Sequence, residues 1–108
     1  PSPSPIRAGN RAGAAVRAAR RDANERTIID ALEKVGALVT QMWPPAPFDL
    51  LVGFRSEFYA LEVKAGDLDR LTKNEAEFQR QCLHYELPYA IVRSVRDAYE
   101  CIGLTFDA

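Results

Sequence analysis

A predicted β-hairpin is the feature that most constrains how this chain folds. Two apolar, strand-length segments, residues 48–54 (FDLLVGF) and 57–64 (EFYALEVK), are separated only by Arg55-Ser56. A two-residue turn at this position fixes which residues of the two strands lie opposite each other. In that register Asp49 faces Glu62, with Cβ atoms about 4.5–5.5 Å apart. The sequence therefore predicts a pair of carboxylates at the open end of the hairpin.

This acidic pair indicates a cation site. Side chains alternate along a strand, so Glu62 and Lys64 lie on one face together with Ala60. Two carboxylates at cross-strand distance repel each other unless a cation lies between them. Oxygen ligands are those that hard divalent ions prefer, so we predict Mg²⁺ here, with Mn²⁺ as a substitute. The alternative is that Glu62 and Lys64 form the solvent-exposed side of a half-buried strand.

The rest of the sequence predicts an α/β domain. Residues 12–35 are Ala-rich and are predicted to form one helix or two, ended by Gly36. Apolar side chains at helical spacing give this segment a buried stripe: Ile28, Ile29, Leu32 and Val35. The predicted order is α-β-β-β-α-β-α. After the first helix come strands at 37–43, 48–54 and 57–64, a helix at 72–86, a strand at 89–92 and a helix that Ser94 caps and that runs to 101.

Asp49, followed on the next strand by Glu62-x-Lys64, resembles the active-site motif of the PD-(D/E)XK nuclease superfamily. The order of elements and the Leu71-Thr72 helix start add to this resemblance, which covers about residues 22–104. Within the superfamily the chain is most similar to a small stand-alone VRR-NUC domain of the kind found in phages and bacteria. The resemblance implies a restriction-endonuclease-like core with a mixed sheet flanked by helices, in a nuclease-like domain at residues 22–108.

The resemblance also implies roles for the residues of the hairpin. Asp49, Glu62 and the backbone carbonyl of Val63 are expected to hold the metal ion, and a Glu of the first helix, here Glu25, is expected to complete the site. Lys64 is expected to orient or deprotonate the attacking water. Whether one or two metal ions bind stays open. Glu25 has an alternative role, because residues 22–25 also have the spacing of a capping box that begins at Asp22.

The second helix is expected to add one polar side chain to the site. The family places a polar residue, often Gln, after a Leu-Ser/Thr pair, and Glu75 stands at that position here. Gln79 follows one turn later on the same face and is predicted as the catalytic residue of this helix. Glu75 stays open as the alternative, because Thr72 and Glu75 also match a capping box.

Charge is distributed unevenly along the chain. The net charge is −1, yet residues 1–21 contain no acidic residue and five arginines. We predict a basic N-terminal arm at residues 1–21, disordered over about the first ten, that binds the phosphates of DNA. The arginines of this predicted arm are Arg7, Arg11, Arg17, Arg20 and Arg21.

Other observations limit the classes of protein that the sequence allows. Cys82, Cys101 and His84 lack the spacing of a zinc site. Two scattered cysteines, no apolar run of membrane length and no visible signal peptide predict a protein of the cytoplasm, in a bacterium or a phage-infected cell. Trp43 is interpreted as a core or subunit-interface residue rather than a platform for a base. A homodimer is predicted, because one such domain is small for a DNA duplex.

The sequence thus predicts a Mg²⁺-dependent DNA endonuclease that hydrolyses phosphodiester bonds in branched, flap or junction DNA. The alternative is a non-catalytic nucleic-acid-binding or phage-regulatory module that retains the nuclease fold. A third possibility is an α/β interaction domain with no nucleic-acid role. Metal-dependent cleavage of DNA separates the first hypothesis from the other two.

Overall fold

A computed structural model describes residues 22–66 and 70–105 of the 108-residue chain. The described part of the first helix, α1, covers residues 22–34. The later elements are β1 (Leu38–Gln41), β2 (Leu50–Phe54), β3 (Glu57–Val63), α2 (Lys73–His84), β4 (Tyr89–Val92) and α3 (Val95–Cys101). This is the predicted order. The predicted arm and its five arginines lie outside the described residues, so the division of the chain at residue 22 stays a prediction.

The four strands form one mixed sheet in the order β1-β2-β3-β4. The first three strands are antiparallel, and β4 runs parallel to β3. The hairpin has the predicted register, with Leu50 opposite Leu61 and Phe54 opposite Glu57. Arg55 and Ser56 both have positive φ angles, 50° and 71°, as a type I′ turn requires. The turn therefore produces the register that was used to predict that Asp49 faces Glu62.

One face of the sheet packs against α1 and α3. Leu50, Leu61 and Val92 are buried on this face. They belong to a single apolar cluster with Ile28, Ile29 and Leu32 of α1, with Ala98 of α3 and with Ile102, the C-cap of α3. The predicted stripe of the first helix is therefore its buried face. Gly36, at φ 92°, ends α1 as predicted.

The other face of the sheet is covered only in part, by α2. The ring of Phe78 on α2 stacks on Phe48 at 5.3 Å between centroids and meets Tyr89 edge-on at 5.9 Å. Towards the turn end of the hairpin no other described element covers this face, and Leu38 and Phe58 are 61% and 60% exposed. Because side chains alternate along β3, Glu62 lies on this second face, at the end that α2 covers.

The observed elements are a little shorter than predicted. Thr72 is the N-cap of α2 rather than its first residue, and Ser94 caps α3 as expected. The strand β1 ends at Gln41, short of the predicted limit at 43, where the proline-rich segment begins. Within the described residues, no helix has the length and apolar character needed to cross a bilayer.

Candidate functional site

Asp49 stands directly before β2 and is held on both sides by hydrogen bonds. Its backbone N–H donates to the Leu61 carbonyl at 3.0 Å, and its carbonyl accepts from the Met42 N–H at 2.8 Å. Its side-chain Oδ2 accepts from the backbone N–H of Val63 at 2.8 Å. This side chain replaces a ladder hydrogen bond at the open end of the hairpin, which explains why an Asp is tolerated beside a strand. Asp49 therefore has a structural role at the end of the hairpin, and its role as a metal ligand stays a prediction.

Glu62 is fully buried, with a relative exposure of 0%. Neither of its carboxyl oxygens accepts a hydrogen bond from the described residues, although the Lys64 ammonium lies 3.4 Å from Oε2. Burial, followed by the nearby carboxyl groups of Asp49 and Glu75, raises the pKa of Glu62 to about 9, and Lys64 opposes this only in part. A buried carboxyl group with unsatisfied oxygens is costly unless a cation or a proton joins it.

Lys64 is also buried, at 1% exposure, just past the end of β3. Its backbone N–H donates to the Val92 carbonyl at 3.0 Å, which continues the pairing with β4. Its ammonium lies between two carboxylates, 3.0 Å from Glu75 Oε1 and 3.4 Å from Glu62 Oε2. The alternative that Glu62 and Lys64 form a solvent-exposed strand face is therefore wrong.

Glu75 is the α2 side chain that reaches Lys64. Its Oε1 accepts from the Thr72 backbone N–H at 2.8 Å and from the Lys64 ammonium, while its own N–H donates to the Thr72 hydroxyl at 3.2 Å. Burial acts to raise the pKa of Glu75, but the hydrogen bonds from Thr72 and Lys64 outweigh it and lower that pKa. The capping box and the contact with Lys64 thus use the same carboxylate.

Gln79 lies half-buried, one turn beyond Glu75 on α2. In the described part of the chain it makes no hydrogen bond to Lys64 or Glu62. Its predicted catalytic role stays a prediction, and the structure favours Glu75 as the residue of this helix that acts on Lys64.

The Glu25 carboxylate contacts the side chain of a β1 residue. Its Oε2 accepts from the Gln41 side-chain amide at 3.0 Å, and Gln41 pairs with Leu50, the residue after Asp49. Asp22 is itself helical, so it is not the N-cap of α1, and the capping-box alternative for Glu25 is wrong. The structure gathers Asp49, Glu62, Lys64 and Glu75, and it places Glu25 beside β1.

Asn24 is a site residue that sequence reasoning missed. Its side-chain amide donates to the carbonyl of Lys64 at 3.0 Å and to the carbonyl of Arg93 at 3.2 Å. It therefore fastens α1 to the ends of the two parallel strands. The available signal was a short polar side chain within a helical segment, where Asn is unfavourable unless it makes a specific bond.

Tyr89, at the start of β4, was missed as well. Its hydroxyl oxygen is buried and has no hydrogen-bond partner within the described residues. Burial and then the negative charges of Glu62 and Glu75 raise the pKa of this phenol. Only the parallel pairing of β4 with β3 brings Tyr89 to this position, so no local sequence pattern could have indicated it.

The residues fit a hard divalent cation. Across the described residues, no three or more His, Cys, Asp or Glu side chains are arranged to hold a metal ion by themselves. Mg²⁺, however, is commonly held by one or two carboxylates, with water and substrate phosphate as its remaining ligands. The two unsatisfied oxygens of Glu62, beside Asp49 and the carbonyl end of β3, match that donor set.

The fold and the gathered charges define a small mixed α/β domain with a buried acid–lysine cluster at one sheet edge. The sequence matches no protein-family model and no curated protein. Among solved structures, the chain is similar to one described as a "VRR_NUC domain", with a TM-score of 0.66, 17% sequence identity, and coverage of 77% of this chain and 94% of that one. The protein therefore has a VRR-NUC-like fold, which confirms the fold predicted from the motif.

Proposed function

We propose that this protein is a metal-dependent nuclease that hydrolyses phosphodiester bonds of DNA. The observation that supports this most strongly is the fully buried Glu62–Lys64 pair beside Asp49, at the edge of a VRR-NUC-like sheet. Burying the Glu62 carboxyl group and the Lys64 ammonium beside the half-buried Asp49 costs stability, so a structural role alone explains the arrangement poorly. A catalytic role explains both the burial and the choice of residues.

Asp49 and Glu62 are the proposed metal ligands, with the Val63 carbonyl as a backbone ligand and Glu25 as a further carboxylate nearby. Mg²⁺ is the proposed ion, and Mn²⁺ its substitute. When bound, such an ion supplies Lewis acidity, polarising the scissile phosphate and lowering the pKa of a water in the site. The chain itself contributes position, because the turn register and the Val63 N–H fix the Asp49 carboxylate.

Lys64 is proposed to orient the attacking water and to balance the negative charge that develops on the phosphate. Glu75 is proposed to hold the ammonium in place, since its carboxylate is itself fixed by the α2 capping box. The Lys64 ammonium lies 3.0 Å from Glu75 Oε1 and 3.4 Å from Glu62 Oε2, so its proposed role is electrostatic.

The test of this function is cleavage of a DNA panel in Mg²⁺, Mn²⁺ and EDTA. The panel contains blunt duplex, flap, branched and single-stranded DNA. Asp49→Asn and Glu62→Gln are expected to lose cleavage at least about 100-fold, whereas Glu77→Gln, an exposed residue of α2, is expected to keep it. Cleavage by Glu62→Gln at the parent rate contradicts the proposed site. If the parent binds DNA but cleaves none of it with any metal, the protein is instead a non-catalytic binding module of this fold.

DNA binding by the arginines at positions 7, 11, 17, 20 and 21 is part of the proposal. Each phosphate contact that a cation makes contributes about 0.9 to the slope of log affinity against log salt. Removal of residues 1–21 should therefore weaken DNA binding and flatten that slope. The same slope before and after removal means that these arginines do not contact DNA.

We further propose that the protein is a homodimer and that it acts on branched or flap DNA in the cytoplasm. Its support is size, because one domain offers a small surface for a branched substrate. Sedimentation at micromolar concentration should show a dimer, and full activity of a monomer at that concentration contradicts it.

A further inference from the structure

Trp43 is 72% exposed although it is the largest apolar side chain of the described residues. It follows Met42, whose N–H donates to the Asp49 carbonyl at 2.8 Å, so the Trp43 backbone lies one residue from the hydrogen-bond partner of Asp49. Of the two predicted placements of Trp43, the core is therefore wrong, and the subunit interface stays a prediction. An exposed indole one residue from the backbone partner of Asp49 is available to contact a ligand bound at the proposed site.

The backbone around Trp43 is built to hold it in solvent. The Ala46 N–H donates to the Trp43 carbonyl at 3.0 Å, closing a short turn. Pro44, Pro45 and Pro47 restrict φ within the same turn and remove most of its conformational freedom. A ligand that covers Trp43 therefore has little additional backbone to order, which lowers the entropic cost of binding.

We propose that Trp43 is a base-stacking residue, which contacts an unpaired base beside the scissile phosphate. This deepens the proposed function and rests on it. A rigid loop can present an indole to a splayed or single-stranded base, whereas the bases of an intact duplex already stack on each other. The substrate class that follows is DNA with single-stranded character next to the cleavage point, such as a flap or a branch.

The chain carries its own probe for this contact, because Trp43 is its single tryptophan. The full chain is titrated in EDTA with single-stranded oligothymidylate, a flap substrate and a blunt duplex, and the tryptophan emission is recorded. Saturable quenching by the first two, and little by the blunt duplex, is the expected result. Equal quenching by all three, or none, overturns the proposal.

Two variants separate stacking from general binding. Trp43→Ala should weaken binding of single-stranded DNA by about 5- to 150-fold and leave affinity for blunt duplex unchanged, and Trp43→Phe should recover part of the loss. Tyr85→Ala removes an aromatic residue that is 69% exposed near the end of α2, and it should change neither affinity. Thermal unfolding followed by circular dichroism checks that both variants are folded. Unchanged affinity of Trp43→Ala for single-stranded DNA overturns the proposal.

The remaining outcomes also decide the matter. If the emission shifts to shorter wavelength as protein concentration rises without DNA, and sedimentation shows a dimer, Trp43 lies at a subunit interface and the proposal is wrong. If the parent cleaves DNA with Mg²⁺ but shows no quenching, the base-stacking proposal fails and the nuclease function stands. If quenching occurs and no metal supports cleavage, base stacking stands and the nuclease function fails.

Discussion

At the turn end of the β2–β3 hairpin the charged side chains are exposed to solvent, whereas at the opposite end of the same two strands they are buried. Arg55 and Glu57 are exposed, and the Arg55 guanidinium lies over the Phe54 ring at 4.8 Å. Glu62 and Lys64 are 0% and 1% exposed. The same strands thus place charge in two very different environments.

The elements packed at each end account for the difference. At the turn end none of the described helices covers the second face of the sheet, and Phe58 is 60% exposed there. At the site end β4 pairs with β3, and the start of α2 brings Glu75 onto Lys64. A charge is inexpensive in the first environment and costly in the second, and the costly one is therefore where function is expected.

The largest expected effect is on the rate of DNA cleavage. It is tested by comparing variants of the two cationic residues of the hairpin, Lys64 and Arg55. Lys64→Ala should lower the cleavage rate by at least about 100-fold and retain Mg²⁺ binding, since the proposed role of Lys64 is at the water and the phosphate. Arg55→Ala should cleave at the parent rate. Calorimetric metal titration and the cleavage assay measure the two properties, and Lys64→Met serves as a second variant that fills the buried space. A Lys64 variant that cleaves DNA at the parent rate would contradict the proposed role of Lys64 in cleavage.

The same pair of variants should differ in stability. Removing one partner of a buried ion pair costs about 3–5 kcal/mol, because the other charge is left uncompensated. We expect Lys64→Ala to lower the free energy of unfolding by an amount near the lower end of that range, since Glu62 can take up a proton. Arg55→Ala should lower it by no more than about 0.5 kcal/mol. Urea unfolding in EDTA provides the free energies. Similar losses of stability in Lys64→Ala and Arg55→Ala would mean that Lys64 and its carboxyl neighbours are far more hydrated than their burial indicates.

The pH dependence of stability should carry the signature of Glu62. Its pKa is raised from 4.5 to about 9 on folding, so between these values the folded state binds more protons than the unfolded state. Stability of the metal-free protein therefore falls as pH rises through this interval, and Glu62→Gln lacks that part of the fall. At pH 8 in EDTA we expect Glu62→Gln to be more stable than the parent by about 1–3 kcal/mol, with near equality at pH 5. Urea unfolding across this pH range is the measurement, and parallel profiles for the two proteins would contradict it. Glu57→Gln at the exposed end is the matched control and should leave the profile unchanged.

The smallest effect is expected at the turn. Arg55 and Ser56 occupy positive φ angles that Asn and Gly adopt at lower cost, so replacing the pair by Asn-Gly should stabilise the protein by about 0.5–1 kcal/mol. Cleavage should not change, because the register and the site end are preserved. Thermal unfolding measures the gain. A change in cleavage would show that the two ends of the hairpin are coupled.

The sequence determined the local features of this protein. Turn length and alternation of side chains predicted the register that pairs Leu50 with Leu61, and capping residues predicted the ends of helices at Gly36, Thr72 and Ser94. The motif on that hairpin also predicted the VRR-NUC-like fold. The register and the helix ends were predictable because each depends on residues a few positions apart or on strands joined by a tight turn, whereas the fold followed from the resemblance to a known family.

The tertiary structure alone decided how the charges are surrounded. Alternation along β3 showed that Glu62 and Lys64 share a face, but not that this face is buried at one end and open at the other. Asn24, Glu75 and Tyr89 reach the cluster from α1, α2 and β4, elements far from the hairpin or packed across it. Trp43, predicted to lie in the core or at a subunit interface, is 72% exposed and does not belong to the core. Burial and the pKa of a charged group depend on every element packed around it, and that is a property of the assembled fold rather than of any segment.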